Sequence, residues 1–220
     1  MLYLILHTNL LFLNKRIRIN KQRELIMVTE EIWDRGLTLA EYIRQMDTFQ
    51  SEMQHRVNDI RVTSAEFQKL KAFNPGRKIL VVTEAWCIDS LMNVPIIAKI
   101  VEASPNIEMK LIFRSEYPEL IQYFSEQGYN KIPLCWVMKK DLSFCGAWVE
   151  RPQSAYRMLD EWKKGNPDFL KIHNDSTLSK EEKKIKLKPL RDQLLDEMWN
   201  WYDTELQADT SREFQTILNC

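Results

Sequence analysis

The chain of 220 residues has few glycines, prolines and cysteines, and it has no excess of either charge. Its 5 glycines and 8 prolines leave little room for glycine-rich phosphate loops or long linkers. Lysine and arginine together number 31, as do aspartate and glutamate, so no basic surplus exists to bind nucleic acid phosphates. Its 4 cysteines are too few for a disulfide scaffold. With 45% hydrophobic residues, the composition is that of a globular protein with an apolar core.

The motifs of several other chemistries are missing as well. The three histidines, His7, His55 and His173, lie far apart, and none has the spacing to Cys, Asp or Glu that a metal site needs. No Walker loop, dinucleotide fingerprint or Gly-x-Ser-x-Gly sequence appears. No apolar run reaches about 18 residues. We therefore expect no metal site, no nucleic acid partner and no membrane partner.

Residues 1–26 differ in composition from the rest of the chain. Residues 1–13 are mostly apolar and residues 14–23 are basic, whereas a signal peptide places its positive charge before its apolar stretch. Met27 is followed by a polar sequence (VTEE) that is typical of the start of a soluble protein. We interpret residues 1–26 as a non-globular N-terminal extension, and a signal anchor or a membrane-surface segment is the alternative interpretation.

Residues 27–75 are predicted to form an N-terminal helical segment. Apolar residues recur every three or four positions over residues 39–60, which predicts one long amphipathic helix. Thr63 and Glu66 have the spacing of a capping box and predict the start of a second helix. An Asn-Pro-Gly sequence at residues 74–76 is expected to end that helix before the first strand.

Residues 76–163 are predicted to form an α/β core. Residues 78–83 (KILVVT) are a nearly continuous apolar run, which is typical of a strand buried on both faces. Further strands are predicted at residues 107–113, 134–138 and 143–149, and helices at residues 87–103, 118–127 and 152–163. This order, β-α-β-α-β-β-α, predicts a four-stranded mixed sheet. Its first two strands should pair in parallel, since a helix connects them, and its last two should form an antiparallel hairpin.

Residues 164–220 are predicted to form a C-terminal helical segment. A Gly-Asn-Pro sequence at residues 165–167 predicts a linker, and Ser179 with Glu182 predicts the capped start of a charged helix. Pro189 is expected to interrupt or restart that helix. Beyond it, apolar residues recur at helical spacing, so this face must be buried against the core or against another subunit.

The sequence between residues 84 and 90 (EAWCIDS) holds the candidate chemistry, because it directly follows the buried strand. Cys87 is expected at the N-terminus of the next helix, where free backbone N–H groups and the helix dipole favour a thiolate. The thiolate is the form that attacks disulfides. Pro95 can kink this helix, and Ile132-Pro133 precedes the third strand at a position that suits a cis peptide bond.

These residues resemble the thioredoxin family. The resemblance rests on Trp86-Cys87, on Pro95 at the family's kink position, on Ile132-Pro133 and on the strand order, and it covers about residues 76–163. The pattern Glu-x-Trp-Cys-x-Asp at residues 84–89, followed by Asn-x-Pro, is similar to a bacterial branch of thioredoxin-like proteins with helices on both sides. The resemblance implies a thioredoxin-like α/β fold with added N- and C-terminal helices, in a cytoplasmic bacterial protein that needs no bound cofactor.

Three departures from the standard thioredoxin pattern change the expected chemistry. Ser90 stands where the family has a second active cysteine, so it can donate a hydrogen bond to a Cys87 thiolate but cannot release a mixed disulfide. Val81 stands where the family carries a buried acid. Asp89 either raises the pKa of Cys87 through its negative charge or caps the helix, in which case its effect on the sulfur is smaller.

The function that follows is thiol–disulfide exchange through one nucleophile, Cys87, with Ser90 and Asp89 beside it. The partner would be a protein or a low-molecular-weight thiol or disulfide, bound in a groove lined by Trp86, Ile132 and Pro133, as the resemblance implies. Trp86 alternatively packs beside the cysteine. Two other functions stay open, a non-catalytic binding module in which Cys87 is inert and a thiol sensor that is itself oxidised. The sequence favours no particular oligomeric state.

The remaining cysteines have less specific interpretations. Cys135 lies in an apolar strand and either packs in the core or acts as a resolving partner for Cys87. Cys145 is predicted to be an ordinary strand residue. Cys220 is the last residue of the sequence and is expected to be mobile and exposed.

Overall fold

In the computed structural model, which describes residues 28–220, four short helices lead into a four-stranded sheet. These helices are α1 (Glu30–Arg35), α2 (Leu39–Gln45), α3 (Gln50–Asp59) and α4 (Ser64–Lys71). Thr63 and Glu66 form the expected capping box of α4, in which each side chain hydrogen-bonds to the other residue's backbone N–H. The predictions made for residues 1–26 lie outside the described residues.

The sheet and the helices between its strands follow the predicted order. The elements are β1 (Arg77–Thr83), α5 (Ile88–Glu102), β2 (Ile107–Phe113), α6 (Pro118–Glu126), β3 (Leu134–Lys139), β4 (Phe144–Val149) and α7 (Gln153–Gly165). The spatial order of the strands is β2-β1-β3-β4. Strand β1 pairs in parallel with β2, whereas β1 with β3 and β3 with β4 pair antiparallel. The predicted thioredoxin-like α/β fold is confirmed.

Strand β1 is buried on both faces, as its nearly continuous apolar sequence predicts. Its side chains alternate between the two faces, as in any strand. Ile79 and Val81 enter the larger apolar cluster, which includes α5 and the C-terminal helices. Leu80 and Val82 enter a second cluster on the opposite face, where α6 packs. Two helical layers therefore cover the central strand and hold its C-terminal end in place.

The prediction of one long helix over residues 39–60 is wrong, because the chain leaves the helix between α2 and α3. Met46 is extended and Phe49 has a left-handed backbone with φ of 56°. The side-chain amide of Gln50 donates to the carbonyls of Ile43 (2.8 Å) and Arg44 (3.2 Å), which satisfies the end of α2. Apolar residues of both helices enter the same core, so the periodicity continues across the break.

The C-terminal segment is also more regular than predicted. It contains α8 (Pro167–Asn174), α9 (Lys180–Trp201), a π-helical turn (Tyr202–Leu206) and α10 (Gln207–Leu218). The expected linker is a tight turn at Asn166, and Pro167 begins the next helix, where a missing N–H costs nothing. Helix α9 continues through Pro189. The carbonyl that Pro189 leaves without a partner belongs to the exposed residue Ile185, where water can bond to it.

The apolar face of the C-terminal helices packs against the chain's own core. The buried residues on this face share one cluster with α5 and β1; they are Leu194, Met198, Tyr202, Leu206, Phe214 and Leu218. No helix within residues 28–220 is both long enough and apolar enough to cross a membrane.

The end of the chain is fixed rather than mobile, which corrects the prediction for Cys220. Cys220 is exposed, yet it forms a disulfide with Cys145 of β4, across a Cα–Cα distance of 5.4 Å. The guanidinium of Arg77 donates to the carbonyls of Leu218 (3.0 Å) and Cys220 (2.7 Å). The pairing could not be predicted from the sequence, because it depends on where α10 ends relative to β4.

We expect Cys220→Ser to lower the free energy of unfolding by about 2–4 kcal/mol, because the disulfide restricts the unfolded chain between two residues 75 positions apart. Urea unfolding under oxidising conditions, followed by circular dichroism, measures the change. Wild type in the presence of a reductant should unfold at the same urea concentration as the variant. Equal midpoints for the oxidised wild type and the variant would contradict the prediction.

Candidate functional site

Cys87 lies at the N-cap of α5, where the chain leaves the buried strand β1. Its backbone is extended, its N–H donates to the carbonyl of Glu84 (3.1 Å), and its carbonyl accepts the first helical hydrogen bond, from Leu91 (3.0 Å). Its side chain makes no capping hydrogen bond, so it does not satisfy the helix N-terminus itself. The sulfur is therefore placed beside free backbone N–H groups, as expected for this position.

The sulfur of Cys87 faces the segment before β3. Its S–H donates to the carbonyl of Ile132 across 3.6 Å, and the following peptide bond, between Ile132 and Pro133, is cis. The side chain is only 7% exposed. The structure thus brings together Cys87 and the Ile132-Pro133 pair, which are 45 residues apart in the sequence.

Ser90 lies in the first turn of α5 and is completely buried. Its hydroxyl oxygen has no hydrogen-bond partner among residues 28–220. A hydrogen bond from this hydroxyl to the sulfur lowers the pKa of Cys87. The hydroxyl is thus available to stabilise the thiolate when the proton of Cys87 leaves.

The pKa of Cys87 is nevertheless raised above its ordinary value. Burial is the largest cause, because a thiolate loses hydration in an apolar environment. Ser90 and the backbone N–H groups of the helix lower the pKa, and the negative charge of Asp89 raises it further. At neutral pH the side chain is mostly a thiol. The backbone N–H groups at the helix N-terminus favour the thiolate, as expected, but burial outweighs them.

Asp89 does not cap the helix but forms an ion pair with Arg151. One carboxylate oxygen lies 2.5 Å from a guanidinium nitrogen, and both side chains are largely buried. The other oxygen has no hydrogen-bond partner among residues 28–220. Burial raises the pKa of Asp89 to about 6, against the opposing effect of Arg151. Of the two interpretations of Asp89, its charge acting on the pKa of Cys87 is the one that the geometry supports.

Glu150 connects this ion pair to the proline segment. Its side chain accepts hydrogen bonds from Arg151 (3.0 Å), Lys131 (2.5 Å) and the hydroxyl of Tyr156 (2.6 Å). Although burial raises its pKa, the hydrogen bonds from Lys131 and Tyr156 hold the pKa of Glu150 below its ordinary value. Its backbone has a φ of 65°, and its N–H donates to the carbonyl of Pro133 (2.8 Å).

Asn93 connects the C-terminal helices to the start of α5. Its amide nitrogen lies 2.9 Å from the carbonyl of Asp89, 3.3 Å from that of Glu150 and 2.8 Å from the hydroxyl of Tyr202. The hydroxyl of Thr210 donates to its side-chain carbonyl across 2.8 Å. The side chain is completely buried, so these bonds replace its hydration and fix the residues that surround Cys87.

Trp86, the residue directly before Cys87, is 59% exposed. It does not pack into the core beside the cysteine, and it lines an open cleft of about 870 Å³. Glu84 lies in the same cleft, and one of its carboxylate oxygens accepts the N–H of Ser115 (2.7 Å). The cleft offers a partner an aromatic wall formed by the residue that precedes Cys87.

Cys135 lies on β3, opposite Val81 of β1, and is completely buried in the larger apolar cluster. Burial raises its pKa far above the ordinary value. It is a free cysteine, as is Cys87. These observations favour a packing role, and the role of a resolving partner stays a prediction.

Two groups of site residues were not predicted from the sequence. Glu150 and Arg151 were missed because their partners are distant in sequence; Asp89 is 62 residues away from Arg151. Asn93 was noted only as part of a motif. A polar residue in the otherwise apolar run LMNVPII is a signal that could have identified it, since a buried amide needs hydrogen-bond partners. Within the part of the chain that is described, no group of His, Cys, Asp or Glu could hold a metal ion.

Residues 36–163, more than half of the chain, match the family described as Thioredoxin. Among solved structures, a protein of unknown function, PA1234 from Pseudomonas aeruginosa, is similar at 25% identity and a TM-score of 0.51, covering 60% of this chain and 85% of that one. A scaffold for an HIV epitope is similar in fold, at 24% identity and a TM-score of 0.50, covering 57% of this chain and 78% of that one. No curated protein matches the chain.

We expect Asp89→Asn and Ser90→Ala to change the pKa of Cys87 in opposite directions. Removing the negative charge of Asp89 should lower the pKa and increase the rate of Cys87 alkylation at neutral pH about threefold to tenfold. Removing the hydroxyl of Ser90 should raise the pKa and slow the reaction. Iodoacetamide labelling, followed by mass spectrometry of the peptide containing Cys87, measures both rates.

The two variants serve as controls for each other, because each removes one polar group beside the same sulfur. Urea unfolding should show that both variants remain folded under the labelling conditions. Slower alkylation of Asp89→Asn than of wild type would contradict the assignment of Asp89 as a charge that raises the pKa of Cys87.

Proposed function

Because the chain belongs to the thioredoxin family, we propose that it performs thiol–disulfide exchange through a single nucleophile, Cys87. Membership of the family supports a thiol-redox function in general. The specific proposal is a monothiol mechanism, in which the Cys-x-x-Ser sequence at residues 87–90 forms a mixed disulfide with its partner. The motif Glu-x-Trp-Cys-x-Asp further suggests the bacterial branch with helical flanks.

The observation that carries the proposal is the position of the Cys87 sulfur, between the N-terminus of α5 and the carbonyl of Ile132. The helix N-terminus favours the negative charge that develops on the sulfur, and Ser90 offers a hydroxyl without another partner. The exposed Trp86 precedes Cys87 in the chain, and Pro133 follows the Ile132 carbonyl that the sulfur contacts, so a partner's disulfide could be held between them. None of the other cysteines has such surroundings.

The exchange takes place in two steps that conserve electrons. First, the Cys87 thiolate attacks one sulfur of the partner's disulfide; a new S–S bond forms, and the partner's other sulfur leaves as a thiolate and takes up a proton. Second, a thiolate from solution attacks the partner sulfur of the mixed disulfide and forms a new S–S bond with it. The S–S bond to Cys87 breaks, and Cys87 is released as a thiolate. The second thiol belongs to a protein or to a low-molecular-weight compound.

A thiol from solution is needed because the chain offers no obvious resolving group. Ser90 cannot attack a disulfide, and the complete burial of Cys135 favours a packing role. Cys145 and Cys220 lie together at the opposite end of the sheet from Cys87, because Phe144, next to Cys145, is level with Lys78 at the start of β1. In the bacterial cytoplasm, which we propose as the location, disulfides are rare. There the pair would be held as thiols, and the hydrogen bonds from Arg77 would still hold the end of the chain.

A non-catalytic binding module is the second candidate, and the raised pKa of Cys87 favours it. A buried thiol with a raised pKa exchanges slowly at neutral pH, since only the thiolate reacts. In this alternative, the groove beside Pro133 and Trp86 holds a partner without chemistry. A thiol sensor would use the same sulfur but would be oxidised itself. Thiol–disulfide exchange and the binding module differ in whether replacing Cys87 changes the rate at which a disulfide is reduced.

We expect Cys87→Ser to abolish mixed-disulfide formation with an activated peptide disulfide, and Cys135→Ser to leave its rate close to that of wild type. Release of the thiopyridone leaving group measures the rate, and mass spectrometry identifies the modified cysteine. Equal rates for wild type and Cys87→Ser would exclude catalysis by Cys87 and support the binding module.

Ser90→Cys provides a gain-of-function test of the same site. A second thiol at this position should attack the mixed disulfide and release the partner, so the variant should reduce a peptide disulfide in a single turnover without an added thiol. Wild type should stop at the mixed disulfide. A Ser90→Cys variant that forms the mixed disulfide but never releases the partner would contradict the proposed geometry.

A further inference from the structure

One of the residues that line the cleft beside Trp86 is a largely buried carboxylate. Glu84 follows β1 directly and is only 9% exposed, yet it lines the cleft together with the exposed ring of Trp86. One of its oxygens is occupied by the N–H of Ser115. Among residues 28–220, no hydrogen bond or ion pair reaches the other oxygen. A largely buried carboxylate with a free oxygen is a strong electrostatic feature, since burial weakens the screening by water.

Further carboxylates make the cleft acidic. Asp47 and Glu116 line it, and Arg114 is the one cationic residue that the described part of the chain contributes to it. None of these residues forms an ion pair within residues 28–220. The whole chain has a net charge of +0, so this acidity is local rather than part of a general negative field.

The geometry points to this cleft as a specificity site for peptide disulfides in which a lysine or arginine flanks the cysteine. The inference rests on the proposed function and adds a class of substrate to it. The positive side chain would lie over the ring of Trp86 and near the free oxygen of Glu84. Cations bind well above the face of a tryptophan ring, and a carboxylate beside the ring strengthens this preference.

The spacing between the cleft and the sulfur suits a flanking residue. Trp86 and Cys87 are consecutive, so their Cα atoms are about 3.8 Å apart. An extended peptide advances about 3.3 Å per residue. When its cysteine meets Cys87, a residue one or two positions away therefore reaches the cleft. The open shape of the cleft fits an extended peptide better than an enclosed small molecule.

The test compares three short peptides with blocked ends, in which the cysteine lies between two lysines, two glutamates or two alanines. Each cysteine is activated as a 2-thiopyridyl disulfide, and placing the residue on both sides removes any dependence on peptide direction. At low ionic strength we expect the lysine peptide to form the mixed disulfide with Cys87 about tenfold faster than the glutamate peptide, with the alanine peptide between them. Added salt should reduce the difference.

Glu84→Gln is the decisive variant, because its amide oxygen can still accept the N–H of Ser115 while the charge is removed. It should lose most of the preference for the lysine peptide. Glu119→Gln is the matched control, since Glu119 is an exposed carboxylate near the start of α6 that does not line the cleft. This control should keep the full preference. Equal rates of the lysine and glutamate peptides on wild type would overturn the inference.

Two further measurements separate this inference from the proposed function. The neutral reagent 2,2′-dithiodipyridine reports the reactivity of Cys87 without any flanking charge, so its failure to react would count against the exchange function alone. Binding of fluorescently labelled peptides with serine in place of cysteine, to the Cys87→Ser chain, tests the cleft without chemistry. Tighter binding of the lysine peptide would support the inference, and equal binding of all three peptides would overturn it.

Discussion

The burial of β1 on both faces is the constraint on which the rest of the structure depends. A strand whose two faces are both apolar must be covered on each side, and α5 with the C-terminal helices covers one face while α6 covers the other. The chain can turn from this central strand into α5 only beyond the C-terminal end of the strand. Glu84, Trp86 and Cys87 lie in that turn, so their positions relative to one another are set by the core rather than by a mobile loop.

The helices beyond the α/β core contribute to the site through Asn93. Its amide links the start of α5 to Tyr202 in the π-helical turn, and its carbonyl accepts a hydrogen bond from Thr210 of α10. A π-helical turn changes the direction in which side chains leave a helix, and here it faces Tyr202 towards Asn93. The C-terminal segment thus helps to hold the first turn of α5, which directly follows Cys87. This gives the flanking helices a physical role beside the site.

The features that could be predicted from the sequence are those in which one segment carries the whole pattern. The apolar run at residues 78–83 predicts a buried strand, and the spacing of Thr63 and Glu66 alone predicts the start of a helix. The features that could not be predicted depend on residues that meet only in the fold. The break after α2 requires Gln50 to reach back to carbonyls of that helix, and the ion pair of Asp89 requires Arg151 from beyond β4.

The same reasoning explains why the raised pKa of Cys87 does not follow from its place at a helix N-terminus. The sequence shows the helix N-terminus, which favours a thiolate, but burial of the sulfur is a property of the packed molecule. Burial, which is the largest cause of the raised pKa of Cys87, therefore could not be predicted from the sequence. The negative charge of Asp89 raises the pKa further. Ser90 has the opposite effect and is not large enough to reverse the shift.

A raised pKa and an acidic cleft beside the same sulfur can act together. Without a partner, the thiolate is disfavoured by burial and by the negative charge of Asp89, and Cys87 is protected from adventitious oxidation as a thiol. A peptide that brings a positive side chain into the cleft neutralises part of the negative charge of the carboxylates that line it. It also places a cation near the sulfur, which favours the thiolate. Recognition of the flanking residue would then be coupled to activation of the nucleophile, so that the thiol becomes reactive mainly towards the peptides that the cleft selects.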